Sequence, residues 1–137
     1  MYNVGDFLNK LNGSILKHAI KSSDLDLYDF CFYSPLLNEH LFIHATCRFK
    51  IINMIHKQSV NCFYENTSSE LFCDAIEDSI GMEIIRIALS SKNDLWIDLG
   101  DCRIVFVTFE DNEESWRLFS SNEEQHLVAS SESILFC

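Results

Sequence analysis

Residues 95–109 read LWIDLGDCRIVFVTF: an alternating apolar run, a Gly-Asp pair at 100–101, and a second apolar run. A Gly-Asp pair between two period-two segments marks a tight hairpin whose turn takes positive φ, so this stretch reads as two antiparallel strands and not as a helix. On the first strand Leu95, Ile97 and Leu99 share one face; Ile85, Ile87 and Leu89 do the same on the strand expected just before it, MEIIRIALS, across a turn at SSKND. Downstream come an acidic loop, SWRLFS, an acidic turn at NEEQ, and HLVAS. From Gly81 onward the chain therefore reads as a meander of antiparallel strands.

Working outward, Ser14–Lys21, Leu25–Tyr33 and Leu41–Ile52 read as further strands, rich in Ile, Phe and Tyr. Asn61–Ser69 reads as a polar loop. Two helices are expected. Val4, Phe7, Leu8 and Leu11 follow the i, i+3, i+4, i+7 spacing and end at Gly13; SSELFCDAIEDSIG carries Leu71, Phe72, Ala75, Ile76 and Ile80 behind a cap at Ser68 or Ser69, with acids in its opening turn. The expectation is an α+β fold, mainly antiparallel sheet of about six strands with two short helices, in one domain over residues 1–137.

A faint internal repeat runs through this order. A helix, Gly13, a strand, SSD with LDL, and a segment holding Cys47 and Arg48 are echoed by a helix, Gly81, a strand, SSKND with LWI, and a segment holding Cys102 and Arg103. Residues 1–60 and 68–137 read as two related units, each a helix followed by a three-stranded sheet, that bury their apolar faces against each other.

Composition bounds the function. With 47% hydrophobic residues, 11 Phe, 4 Gly and 1 Pro, the chain has material for a core and lacks the bias of a disordered tail. No apolar run approaches the ~20 residues that span a bilayer, and MYNVGDFLNKLNGSILKH is broken by polar residues where a signal peptide needs continuity, so a cytoplasmic location is expected. The six cysteines, none in a close pair, are expected to be reduced. The net charge of −11 is not spread evenly: residues 1–68 hold six acids and six bases, and residues 69–137 hold fifteen acids and four bases. That asymmetry disfavours nucleic-acid and membrane partners and favours a basic protein, solubility being the other use of the charge.

Catalytic and metal signatures are missing from the sequence. His40-x3-His44 is the one His/Cys pair with zinc-like spacing, and it straddles a loop and a strand start. No G-x-S-x-G, Cys/His signature or Gly-rich phosphate loop occurs. The acid pairs Asp98/Asp101 and Glu113/Glu114 lie in turns, where carboxylates are ordinarily solvated, so the chain reads as a binding protein with no catalytic residue, metal or cofactor.

LNGSILKHAI, LFIHATCRFK and DLWIDLGDCRIVFVTFEDNEESWRLFSSNEEQHLVAS together resemble small bacterial immunity proteins of polymorphic toxin systems, including contact-dependent growth inhibition. The similarity covers about Leu11 to Ser130, with Cys47 standing before Arg48 where an aromatic residue is expected. The resemblance implies a cytoplasmic antidote that binds a cognate toxin C-terminal domain, and a nuclease toxin with a basic groove would suit an acidic inhibitor. A pore former or an NAD-consuming toxin remains open, as does an adaptor or structural subunit that pairs with a basic partner.

The expected partner-binding residues are Glu110, Asp111, Glu113 and Glu114 in the acidic loop, Glu123 and Glu124 in the next turn, and Asp98 and Asp101 nearby, forming one outward patch. Trp116 is either a core residue or an aromatic anchor beside them, Trp96 being the other candidate anchor, and Arg117 faces away from Trp116 along the same strand.

Overall fold

The computed structural model describes residues 4–22, 27–46, 48–55, 60–63, 67–108, 114–121, 126–130 and 133–136. Among them are helices α1 (Val4–Asn9) and α2 (Ser69–Ile76), the latter running into a 3-10 turn at Glu77–Ser79. The strands of the first half are β1 (Ile15–Lys21), β2 (Tyr28–Ser34), β3 (Glu39–Ala45), β4 (Arg48–Asn53) and β5 (Val60–Phe63). Those of the second are β6 (Arg86–Leu89), β7 (Leu95–Asp98), β8 (Cys102–Val107), β9 (Trp116–Ser120), β10 (His126–Ala129) and β11 (Ile134–Phe136). The fold is α+β and mainly antiparallel sheet, but with eleven described strands in two sheets where about six were expected: β1-β2-β3-β9-β10-β11 and β5-β4-β8-β7-β6.

The missing strands were hidden by parity. Leu41–Ile52 reads as one strand, yet β3 lies in the six-stranded sheet and β4 in the five-stranded one. Leu41, Ile43 and Ala45 are buried, and so are Phe49 and Ile51, all at odd positions. The two sheets face a common core, so a chain that crosses between them keeps its inward alternation and leaves no mark in the pattern. β5 occupies part of the expected polar loop; only Phe63 of its four residues turns inward, which is what an edge strand needs.

Between the sheets, Phe30 meets Phe49, Phe106 and Phe72 edge to face at centroid distances of 5.5, 5.1 and 5.6 Å, and Tyr28 meets Phe49 at 4.6 Å. Each such ring contributes about 1.5–3 kcal/mol through burial, and each edge-to-face pair about 0.5–1.5 kcal/mol more. α2 closes one end of this core with Phe72 and Ile76. Ser68 is its cap, accepting a hydrogen bond from Leu71 N at 3.2 Å. The helix buries a narrower stripe than expected, with Leu71 63% and Ile80 41% exposed, because it covers an open end and touches the core along one line. Ile85, expected inside with Ile87 and Leu89, precedes β6 and is 63% exposed.

The strand order exchanges under a shift of about half the chain. β1-β2-β3 of the first half continue into β9-β10 of the second, while β6-β7-β8 of the second continue into β4-β5 of the first. Four hydrogen bonds where the halves touch share the relation: Gly13 N to Ile84 O (2.7 Å) matches Gly81 N to Leu16 O (2.8 Å), and Leu16 N to Met82 O (2.9 Å) matches Ile84 N to Ser14 O (2.7 Å). Gly13 and Gly81, at φ 85° and 93°, supply the same left-handed turn before each first strand. Each half thus gives three strands to one sheet and lends its next two to the other, β11 of the second half being added beside β10, in place of two separate three-stranded units. In this correspondence β4 matches β9, not β8, so Phe49 and Trp116 hold equivalent core positions.

Candidate functional site

The turn at Gly100 and Asp101 separates two surfaces of opposite charge. Gly100 takes φ 90°, and Asp98 Oδ1 accepts a hydrogen bond from Gly100 N at 2.9 Å. The other oxygen of Asp98 lies 3.5 Å from Arg103 Nη2, and Arg86 is its neighbour across the strand pair on β6. Asp98 is therefore the middle of an Arg86–Asp98–Arg103 row on the outer face of the five-stranded sheet, neutralised within the fold, and not part of an acidic patch.

Asp101 turns the other way. Its backbone carbonyl accepts from Met54 N at 2.8 Å, and its exposed carboxylate lines a groove of 510 Å³ with Asp74 of α2 and Asp78 of the 3-10 turn. Ile51, Ala75 and Met82 supply apolar lining. Among the described residues Asp74, Asp78 and Asp101 have no ion-pair partner, and neither has Glu77 beside them. Three of these acids sit at the C-terminal end of α2, whose last turn holds no base. Negative charge there opposes the helix dipole, at about 0.3–1 kcal/mol per group at an exposed site. Carboxylates placed against the local electrostatics with no internal compensation are the pattern expected of a surface shaped by a partner.

Under the groove Ser79 Oγ lies 3.0 Å from Cys102 Sγ. Burial pushes the Cys102 thiol above its ordinary pKa, the hydrogen bond from Ser79 opposes this, and Asp101 and Asp98 push it up further. Cys31 is raised in the same way, by burial and then by Asp29. Both remain protonated thiols near neutral pH and are poor nucleophiles. No group of three or more His, Cys, Asp or Glu that could hold a metal occurs among the described residues. His44 Nε2 lies 3.4 Å from Asp29 on the outer face of the six-stranded sheet, edge-on to Phe119 at 4.8 Å.

Of the remaining expected site residues, those that the structure describes do not join Asp101. Glu114 Oε1 is held by Arg117, at 3.0 Å from Nε and 2.6 Å from Nη2. Trp116 is fully buried, and its indole N–H donates to Asn93 O at 3.0 Å; it is core, and an anchor role would require it to leave the sheet. Its neighbour Arg117 faces the outer side of the sheet, toward Glu114 and His126. Glu110, Asp111, Glu113, Glu123 and Glu124 lie outside the described residues. The residues that flank them are far apart. Thr108 and Asp101 stand just beyond opposite ends of β8, about 23 Å apart at strand rise, and Glu114 and Ser121 stand beyond opposite ends of β9, likewise about 23 Å apart.

Asp74 and Asp78 were not singled out from the sequence. The signal was present: an acid-rich closing turn in CDAIEDS with no base is unfavourable for a helix on its own and calls for an external reason. No helix among the described residues is long and apolar enough to cross a membrane. No protein-family model, curated protein or solved structure matches the chain.

Proposed function

We propose that the chain is an immunity-type inhibitor that acts in the cytoplasm by binding a cognate toxin domain and covering its cationic surface, a nuclease groove being the favoured target. The observation that carries this reading is the groove at Asp74, Asp78 and Asp101, whose carboxylates are exposed and unpaired among the described residues while Asp98 and Glu114 are neutralised within the fold. A basic groove that normally holds phosphates meets there an arrangement of negative charge with no scissile bond. The apolar lining from Ile51, Ala75 and Met82 gives such a contact a desolvated centre, on which residence time depends.

Opposed charge chiefly accelerates encounter, toward about 10⁸–10⁹ M⁻¹s⁻¹ at low salt. The test is co-expression of the chain with the toxin domain encoded beside it, scored by survival and co-purification, followed by stopped-flow association. Replacing Asp74, Asp78 and Asp101 with Asn lowers the association rate by about tenfold and flattens its salt dependence. Unchanged kinetics in that variant reject the groove as the docking surface; failure of the intact chain to protect or co-purify rejects the immunity reading itself.

A further inference from the structure

The outer face of the five-stranded sheet carries the reverse charge. Arg86 on β6, Arg103 on β8 and Arg48 and Lys50 on β4 all point outward, and Asp98 is the one carboxylate on that face within the five strands. A chain of net charge −11 thus gathers four of its ten bases on one side of one sheet. In the middle stands Trp96, 39% exposed in mid-strand, with the Arg103 guanidinium 5.1 Å from its ring centroid. Its neighbours across the strands are Ala88 and Val105, and the shortness of Ala88 leaves a recess of 320 Å³ lined by Trp96, Leu89, Ser90, Arg86, Asp98 and Arg103.

We propose that this recess binds a mononucleotide, its base against Trp96 on the Ala88 side of the ring and its phosphate on Arg86, since Arg103 is already engaged by Asp98 and by the Trp96 ring. The spacing carries the assignment. Arg86 stands across from Asp98 on β6, and Asp98 is two residues from Trp96 along β7, about 7 Å, so Arg86 lies one such step from the ring, near the separation that a sugar imposes between a base and its phosphate. Asp98 Oδ2 holds Arg103 in the row and accepts from a base amino group or a ribose hydroxyl. Arg86 has no ion-pair partner among the described residues and stands ready for the phosphate, which guanidinium groups grip by paired N–H donors. Flat aromatic surface next to cationic groups is the recurring means of holding a nucleobase and its charge together.

The size of the ligand follows from screening. Beyond a Debye length of about 8 Å in physiological salt a site's local field no longer dominates. A mononucleotide lies within the cationic face, whereas a polynucleotide extends past it to the acids that give the chain its net charge of −11. The site shares no residue with the acidic groove apart from lying on the same sheet, so the two proposals stand or fall separately.

Calorimetric titration of the intact chain with AMP, GMP, CMP and UMP, and with adenosine, inorganic phosphate and a Glu-rich peptide, decides the matter. Trp96 emission gives a second readout, because Trp116 is buried. The expected result is saturable binding of at least one mononucleotide, at least about tenfold tighter than adenosine or phosphate, and weakened about tenfold in Arg86→Gln and in Trp96→Ala, with the thermal midpoint of each variant unchanged. Arg86 is exposed, so its substitution leaves the core alone. The proposal is overturned if no mononucleotide saturates in the millimolar range, if both variants bind as the parent does, or if the Glu-rich peptide binds tighter than every nucleotide, which would make the face a protein-docking surface.

Discussion

Cutting the chain between its halves should leave a bimolecular protein and not two small domains. The segment between Phe63 and Thr67 joins β5 to α2, and the strand pairs among the described residues all lie outside it. Fragments 1–63 and 67–137 share the six paired positions of β4 with β8, the five of β3 with β9, and the bridge from Ile15 to Glu83, and each sheet contains strands of both. Neither fragment keeps the aromatic core, since Phe30 and Phe49 belong to one and Phe72 and Phe106 to the other. A domain of this size is stable by about 5–15 kcal/mol. A short linker supplies an effective concentration on the order of 1 mM. Even the lower stability then converts to a dissociation constant of about 0.2 µM for the two fragments. The assay is co-expression with an affinity tag on one fragment, followed by circular dichroism and tryptophan emission of each fragment alone and mixed. Cooperative unfolding with buried Trp116 emission from fragment 67–137 by itself, or no association above 10-fold excess of about 0.2 µM, would show that the strands are not exchanged between halves.

Three further outcomes concern the tryptophans and the cysteines. Trp116→Phe keeps the ring in the core but leaves Asn93 O without its donor, at about 1–3 kcal/mol by chemical denaturation, while Trp96→Phe on the outer face changes stability by less than about 0.5 kcal/mol; equal effects would contradict the placement of the two tryptophans. Among the described cysteines, Cys62 and Cys73 are exposed and should react with a thiol reagent in the folded protein, whereas Cys31 and Cys102 should react only on unfolding. Their raised folded pKa values bind the proton more tightly than the unfolded chain does, so their contribution is present below the ordinary thiol pKa of about 8.5 and is lost as pH rises above it. Substituting both by Ala should flatten the alkaline side of the stability profile, as read by thermal melts from neutral to alkaline pH.

What the sequence determined by itself is local. The Gly-Asp turn at 100–101, the Ser68 cap, the left-handed glycines at 13 and 81, and the inward face of Leu95 and Ile97 each follow from one residue's conformational freedom or from a period of two. The concentration of acids in the second half is likewise a property of composition. Which strands pair was decided only by the tertiary structure. A strand that crosses from one sheet to the facing one presents the same alternation to the same core, so Ala45 and Phe49 look continuous in sequence although they end in different sheets. The same holds for charge. Asp98 and Asp101 are three residues apart and look alike, yet the strand puts the first between two arginines, and the turn carries the second round to meet Asp74 and Asp78 from a helix more than twenty residues away. Trp96 and Trp116 differ for that reason too: alternation says that a residue faces one side or the other, and only the packing of one sheet on the other says which side is the core.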